Sequence, residues 1–369
     1  MNANKKKFIY AFSTLSGTII GVGLFSLPYV VIKSGILLTL GYFIFLGIVT
    51  IIVHRFFVEV AFKTPNFLRL PGFAKIHLGV VGEKIAIFST TLGLFGAILA
   101  YLIVGGEFLK SLLMPIFGGG DIIYTLGYFF LGAFFIYLGI KSISKIEFFG
   151  IILFFVILIA IFFQTKSIID FNNLFSIKTG NFFFPYGPIL FSLWGASLIP
   201  EIEEMIGKDK SLLKKVIPYS IIVPILIYLL FISIVVGICG YQTTESALSG
   251  LSSFLGQGAI NAVLIFGIFV TFTSFVTLGL TLKKIFWYDM KIKKNIAWLI
   301  TCFVPLILFL IGLRSFIHII GLVGGVMIGI DAVLILLMYK KINEKSILVY
   351  PLAVIFIIGI IYEIIYFIR

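Results

Sequence analysis

Apolar residues along this chain fall in long continuous runs, without the strict alternation that marks a half-buried strand. Short clusters of lysine, glycine and proline punctuate them. The hydrocarbon core of a bilayer is about 30 Å thick and takes roughly 20 apolar residues of helix to cross. Runs of that order predict spans at 8–32, 35–60, 85–113, 122–140, 145–163, 184–206, 216–239, 257–282, 295–313, 315–338 and 346–367, eleven in all. The ninth and tenth meet at a tight turn around Arg314. The expected fold is an all-α integral membrane bundle. One transmembrane domain covers residues 1–369, because no polar or Pro/Ser-rich linker divides the chain.

Composition removes the soluble alternatives. Hydrophobic residues make up 61% of the 369 positions and charged residues 12%, with a mean hydropathy of +1.21. A soluble domain is about 45–50% apolar and about 25% charged, and no water-soluble fold hides so much apolar surface. There is no room for a soluble catalytic domain. Cys239 and Cys302 lie far apart with neither metal-ligand nor redox spacing, and read as packing residues. Lys5, Lys6 and Lys7 precede an apolar stretch as in a signal peptide. That stretch continues past Phe25 without a small-residue cleavage site, so an uncleaved first span is expected.

An odd number of spans puts the two termini on opposite sides, and loop charges test this through the positive-inside rule. Of the 28 lysines and arginines, only Lys33, Lys110, Lys166, Lys178, Arg314 and Arg369 fall on the side away from the N-terminus. The others, among them Lys5 to Lys7, Arg55, Arg69, Lys141, Lys208, Lys214 and Lys340, share the N-terminal side. The expected placement is a multi-pass protein of the cytoplasmic membrane with its N-terminus in the cytoplasm and its C-terminus outside. A net charge of +13 would suggest nucleic acid as a partner of a soluble protein. Here it is topology, and the run from Lys283 to Lys294 reads as a solvated loop near anionic headgroups.

Two spans carry helix breakers at mid-depth. The first contains Gly17, Gly21 and Gly23 ahead of Pro28, and each glycine weakens a helix by roughly 1 kcal/mol relative to alanine. The sixth reads Pro185-Tyr186-Gly187-Pro188 and then Leu193-Trp194-Gly195-Ala196-Ser197 before Pro200 and Glu201. Unwound backbone in a membrane is tolerated only inside protein or beside a cavity. Interruptions at corresponding places in two halves point to a transporter site built from inverted repeats. The breaks lie five helices apart, which gives repeats at 8–163 and 184–338 and leaves 346–367 as an extra helix. The plainer reading, close helix packing through Gly17 and Gly21, is weakened by the matched sixth span.

The stretch from Gly17 to Pro28, the Leu193 to Ser197 break with Pro200, Tyr101 to Leu109 in the third span and Phe272-Thr273-Ser274-Phe275 in the eighth resemble the amino acid/auxin permease family. That family belongs to the amino acid-polyamine-organocation superfamily, with the LeuT-type fold. The resemblance implies an amino acid at mid-membrane, its carboxylate on the amides of Gly21, Val22 and Gly23. Amide groups at the start of a half-helix suit an anion on physical grounds as well. The substrate ammonium would meet carbonyls near Ser192, Leu193 and Trp194, and Tyr101, Trp194, Ser197 and Thr271 are the candidates to line the pocket.

Fold relatives that use sodium imply a cation site from the carbonyls of Gly17, Ile20 and Val270 and the hydroxyls of Thr273 and Ser274, all hard oxygen donors. No other cofactor is implied. No Lys or Arg lies between Lys145 and Lys166 in the fifth span to replace the ion. Acidic residues inside spans are functional candidates by default. Asp331 and Glu201 are the deepest and are candidates for proton coupling, whereas Glu107, Glu203, Glu204 and Glu363 sit nearer span ends. Glu59 and Asp289 lie near basic residues on the N-terminal side, where an ion pair would close an inner gate.

The functional expectation is a secondary active transporter of amino acids working by alternating access, coupled to sodium or protons, with no enzymatic activity. An intramembrane enzyme would need converging nucleophile, base or metal ligands, and His54, His77 and His318 are scattered. A nutrient sensor with a transporter fold is the alternative; it would bind an amino acid without moving it. The substrate's side chain, the direction of transport and the oligomeric state stay open at this level.

Overall fold

A chain that leaves water must satisfy its backbone within itself, and helices do so segment by segment. The computed structural model of the protein describes residues 3–368 apart from 65–67, 140–142, 176–180 and 208, and no strand occurs among them. Lys141, Lys178, Lys208 and Arg369, used above to orient the chain, lie outside the described residues.

Helices α1 (Ala3–Ile19) and α2 (Gly23–Ser34) fill the first predicted range and are bent by 49° at their junction. Gly35, at φ 85°, turns the chain into α3 (Ile36–Lys63). Helix α4 (Leu70–Phe117) is kinked at Gly79, where φ is 76°, so residues 70–78 form an arm ahead of the third span. Next come α5 (Asp121–Leu138), α6 (Ile143–Thr165) and the short α7 (Asn172–Phe175). The sixth range holds α8 (Tyr186–Leu193), a 3-10 turn (Ala196–Leu198) and α9 (Ile199–Ile206). Helix α10 (Lys210–Cys239) and the short α11 (Leu248–Leu251) lead to α12 (Gln257–Lys284), which ends in a π turn (Ile285–Asp289). After α13 (Lys294–Leu310), α14 (Phe316–Leu322) passes through a second π turn (Val323–Met327) into α15 (Ile328–Ile342), and α16 (Val349–Ile368) closes the chain.

Helices therefore occupy each of the eleven predicted ranges, and the first and sixth are interrupted where the glycines stand. The count of eleven crossings is not confirmed by length and apolar composition. Among the described residues seven helices meet that standard, and α1 with α2 makes an eighth when taken as one bent span. The remaining ranges hold shorter apolar pieces: Phe155–Thr165 within α6, Lys294–Leu310, and the eight-residue α8 and α9. A broken span or the 17-residue α13 cannot present one long uninterrupted run, whereas α6 extends over 23 residues, of which Phe155–Thr165 enter this count.

Prolines at 28, 115, 218, 224 and 305 sit inside helices, which neighbouring membrane helices make tolerable. The outward faces are apolar, with Ile44, Phe130, Leu131 and Val354 exposed, as lipid contact requires. Helix α16 shows how the pattern works. Leu352, Phe356, Gly359 and Glu363 form its buried stripe at spacings of three and four, while Val354, Ile358, Ile361 and Ile365 face out. At the N-terminal side of the bundle Lys283 is buried, and its Nζ donates to the carbonyls of Ile136 at 2.8 Å and Tyr137 at 3.1 Å, which caps the end of α5.

Candidate functional site

The two breaks face each other. In the first, the Gly21 amide donates to the Ile19 carbonyl at 2.7 Å, a tight turn that uses up one of the three amides expected to receive an anion. The Val22 and Gly23 amides make no backbone hydrogen bond among the described residues, and they open the N-terminus of α2. Glycine is required here by crowding. A Cβ on Gly23 would come within 3.0 Å of the Ser192 Cα, and one on Gly21 would run into the Tyr101 hydroxyl and sit 2.9 Å from its ring.

In the second break Trp194 is extended, at φ −85° and ψ 123°, and Gly195 follows at φ −133°. The Gly195 amide donates across 3.0 Å to Nε2 of His54, a fully buried residue of α3, and the Trp194 ring stands edge-on to the same imidazole at 4.9 Å. One buried hydroxyl spans the two breaks. Tyr228 of α10 lies 2.5 Å from the Ile19 carbonyl, which ends α1, and 2.8 Å from the Ser192 carbonyl near the end of α8.

Between the breaks lies a narrow cavity. Gly23, Tyr101, Ser192, Trp194, Ser197 and Asp331, all expected from sequence, line it, together with the apolar Leu94, Phe191, Val323 and Met327. Asp331 is buried against α4, whose Ser89 hydroxyl donates to Oδ1 at 2.5 Å and whose Thr90 hydroxyl lies 3.2 Å and 3.3 Å from its two oxygens. Thr90, Trp194, Ser197 and Asp331 also line a second, smaller space toward the N-terminal side, which ends at Arg69.

Other expected residues fall elsewhere. Gly21, Val22, Leu193 and Thr271 are not on the cavity wall. The Thr271 hydroxyl bonds the carbonyls of Gly267 and Ile268 in its own helix, and Ser192 Oγ bonds that of Pro188. Glu201 pairs with Arg69 at 3.2 Å, both mostly buried, with Lys284 4.0 Å away. This ion pair bridges the start of α4 and the sixth span, the arrangement of a gate. Glu59 pairs with Lys210 and Lys214, whereas Asp289 enters no ion pair among the described residues and keeps its Oδ2 buried without a hydrogen-bond partner. Gly17 lies on α1 and Ile20 just past its end, and Val270, Thr273 and Ser274 lie on α12, which touches α1. The Thr273 hydroxyl donates to the Val270 carbonyl at 3.1 Å, and Ser274 is buried. These oxygens fit a hard cation by chemistry.

His54 and Tyr228 were not foreseen. The signal for His54 was present, an ionisable side chain inside an apolar run. For Tyr228 there was none, since its role comes from where α10 packs.

A sequence model of the tryptophan/tyrosine permease family matches residues 4–365. The amino acid/auxin permeases that the motifs resemble are a different family in the same general transporter class, so that finer assignment is corrected. Among curated proteins none matches. The fold is similar to that of MhsT, solved in complex with L-phenylalanine, at 14% identity and a TM-score of 0.73, with 97% of each chain covered. It is similar also to Mhp1, a nucleobase-cation-symport-1 family transporter solved in a closed conformation with bromovinylhydantoin bound. There identity is 12% and the TM-score 0.69, with 98% of this chain and 91% of that one covered. The architecture is thus the LeuT-type fold, with its broken first and sixth helices.

Proposed function

Because the chain belongs to the tryptophan/tyrosine permease family, and is a membrane transporter, we propose that it carries an aromatic amino acid through the cavity between the two breaks by alternating access. The observation that carries this reading is the composition of that cavity. At one end it meets Gly23, whose amide is unclaimed within the backbone, and along its length it is walled by Tyr101, Phe191, Trp194, Val323 and Met327. An α-carboxylate suits the Val22 and Gly23 amides at the start of α2. The ammonium suits carbonyls at the sixth break, and a ring suits the apolar walls. The phenylalanine bound by MhsT agrees with this substrate class.

The protein sits in the cytoplasmic membrane with its N-terminus inside, as its loop charges favour. The Arg69–Glu201 pair then closes the cytoplasmic end of the pathway. Coupling runs through a proton on Asp331 or through sodium at Gly17, Ile20, Val270, Thr273 and Ser274. Asp331 is favoured by its place on the cavity wall and its contacts with Ser89 and Thr90. Purified protein in proteoliposomes, given labelled tryptophan, tyrosine, phenylalanine and leucine under separate sodium and proton gradients, tests the reading. Counterflow of an aromatic amino acid is expected. Binding without counterflow would mean a sensor, and preference for leucine would remove the aromatic assignment.

A further inference from the structure

The eleventh helix brings a carboxyl group into the bundle where a peripheral helix needs none. Glu363 lies on the buried stripe of α16 and is 4% exposed. It enters no ion pair among the described residues. Its carboxylate accepts the backbone N–H of Gly187, in the first turn of α8.

The space for this side chain is made of glycine. A Cβ on Gly187 would strike Glu363 Oε1, one on Gly325 would strike its Cγ and lie 2.9 Å from its carboxyl carbon, and one on Gly321 would lie 3.4 Å from Oε2. Gly324 in turn has no room for a Cβ because the Gly187 backbone lies against it, with the carbonyl carbon at 2.8 Å. The outer half of the sixth span, the π turn of the tenth and α16 therefore meet around one carboxyl group.

That junction connects directly to the substrate cavity. Helix α8 runs from Tyr186 to Leu193, and its last turn supplies Phe191 and Ser192 to the cavity wall. The π turn supplies Val323 and Met327. On its other side Glu363 lines a small space with Phe184, Pro188, His318 and Tyr366, at the end of the bundle opposite the Arg69–Glu201 pair.

We propose that Glu363 is a proton-binding residue of the transport cycle: charged, it holds the outer half of the broken sixth span to α16 and the tenth span, and protonated, it releases that half. The proposal rests on the transport reading above. A charged carboxylate at the start of a helix is stabilised by the free N–H groups and by the dipole, and protonation removes most of that attraction. Tyr186 on Gly359 and the Phe183–Tyr362 and Phe184–Tyr366 ring pairs still join α16 to the sixth span when it is lost, so release loosens the junction around the glycines without parting it. Titratable groups facing Glu363 are Tyr42 on α3, Tyr186 on α8, His318 on α14, and Tyr362 and Tyr366 on α16. Of these only the imidazole ordinarily titrates between pH 5 and 8, so it needs its own control.

Hydrogen–deuterium exchange of the peptide covering 184–193 reads the junction directly. It requires no transport, and it therefore separates failure of this proposal from failure of the transport reading. After correction for intrinsic exchange, protection in the wild type should fall roughly tenfold between pH 8 and pH 5.5, the size expected for losing a hydrogen bond to a charged group. In Glu363→Gln it should be low and independent of pH. In His318→Asn the wild-type dependence should remain. In proteoliposomes Glu363→Gln should remove the dependence of counterflow on external pH. Protection that is flat in the wild type overturns the proposal, and so does a dependence that survives in Glu363→Gln or disappears in His318→Asn. If the glutamine variant does not insert, the wild type and the histidine variant still decide the matter.

Discussion

The Tyr228 hydroxyl lies 2.5 Å from the carbonyl oxygen of Ile19, the last residue of the first half-helix, and it reaches the Ser192 carbonyl of the sixth span at 2.8 Å. One side chain from a third helix thus holds both chain ends that a LeuT-type fold leaves open. Tyr228 does not line the cavity. Tyr228→Phe should therefore lower the transport rate about tenfold and leave KM within about threefold, since a buried acceptor left unsatisfied costs about 1–3 kcal/mol. A raised KM at unchanged rate would put Tyr228 in contact with substrate instead.

Gly21 and Gly23 should differ on substitution. Alanine at 23 meets the Cα of Ser192, which is backbone, whereas alanine at 21 meets the hydroxyl end of Tyr101, which is a side chain with freedom to move. Gly23→Ala should abolish substrate binding, measured on purified protein, and Gly21→Ala should weaken it by a smaller factor. The reverse order would mean that the sixth span yields more readily than Tyr101.

His54 accepts the Gly195 amide through Nε2. Glutamine places an acceptor at a similar reach, and leucine supplies none. His54→Leu should reduce counterflow about tenfold or more, because the buried amide loses its partner, and His54→Gln should recover most of the loss. Equal damage from both would assign the effect to the imidazole's packing on Trp194.

The coupling ion separates two sets of residues. With a proton as the ion, Asp331→Asn should abolish proton-driven accumulation and spare exchange, and a Thr273→Ala, Ser274→Ala double variant should behave as wild type. With sodium, removing those two hydroxyls deletes two of about five oxygen ligands, and linkage requires that substrate no longer tighten sodium binding. Uptake indifferent to both gradients would leave a uniporter or exchanger.

A reporter fused after Arg369 should lie outside the cytoplasm if the chain crosses eleven times, as the eleven helical ranges and the loop charges predict. A cytoplasmic reporter would remove one crossing from the chain.

Sequence exposed what depends on local chemistry. Gly21, Gly23 and Gly195 mark the breaks because glycine and proline disrupt a helix wherever they stand, Trp194 and Ser197 could be placed at the cavity because they sit at the sixth-span break, and Asp331 stood out as an acidic residue deep in a span. What depends on packing between distant segments was not visible. Nothing near Thr271 in sequence shows that its hydroxyl bonds Gly267 and Ile268, and nothing near Glu201 shows that Arg69 stands beside it. Glu363 looks like a residue near a span end because nothing in α16 itself announces the glycines of the sixth and tenth spans. The count of eleven is not confirmed by length and composition for a related reason, since the short helices that flank a break do not register as full crossings.

The π turn at Val323–Met327 sets the aim of everything that follows it. Such a turn behaves as a single residue inserted into an α-helix, and one residue corresponds to about 100° of rotation around the axis. Asp331 lies just beyond it and points at Ser89 and Thr90. Loss of one residue between 323 and 327 would leave the composition of α15 intact and swing that carboxyl group away from the cavity. Length in this turn is therefore under tighter constraint than identity, and an insertion or deletion there would change chemistry where most substitutions would only change fit.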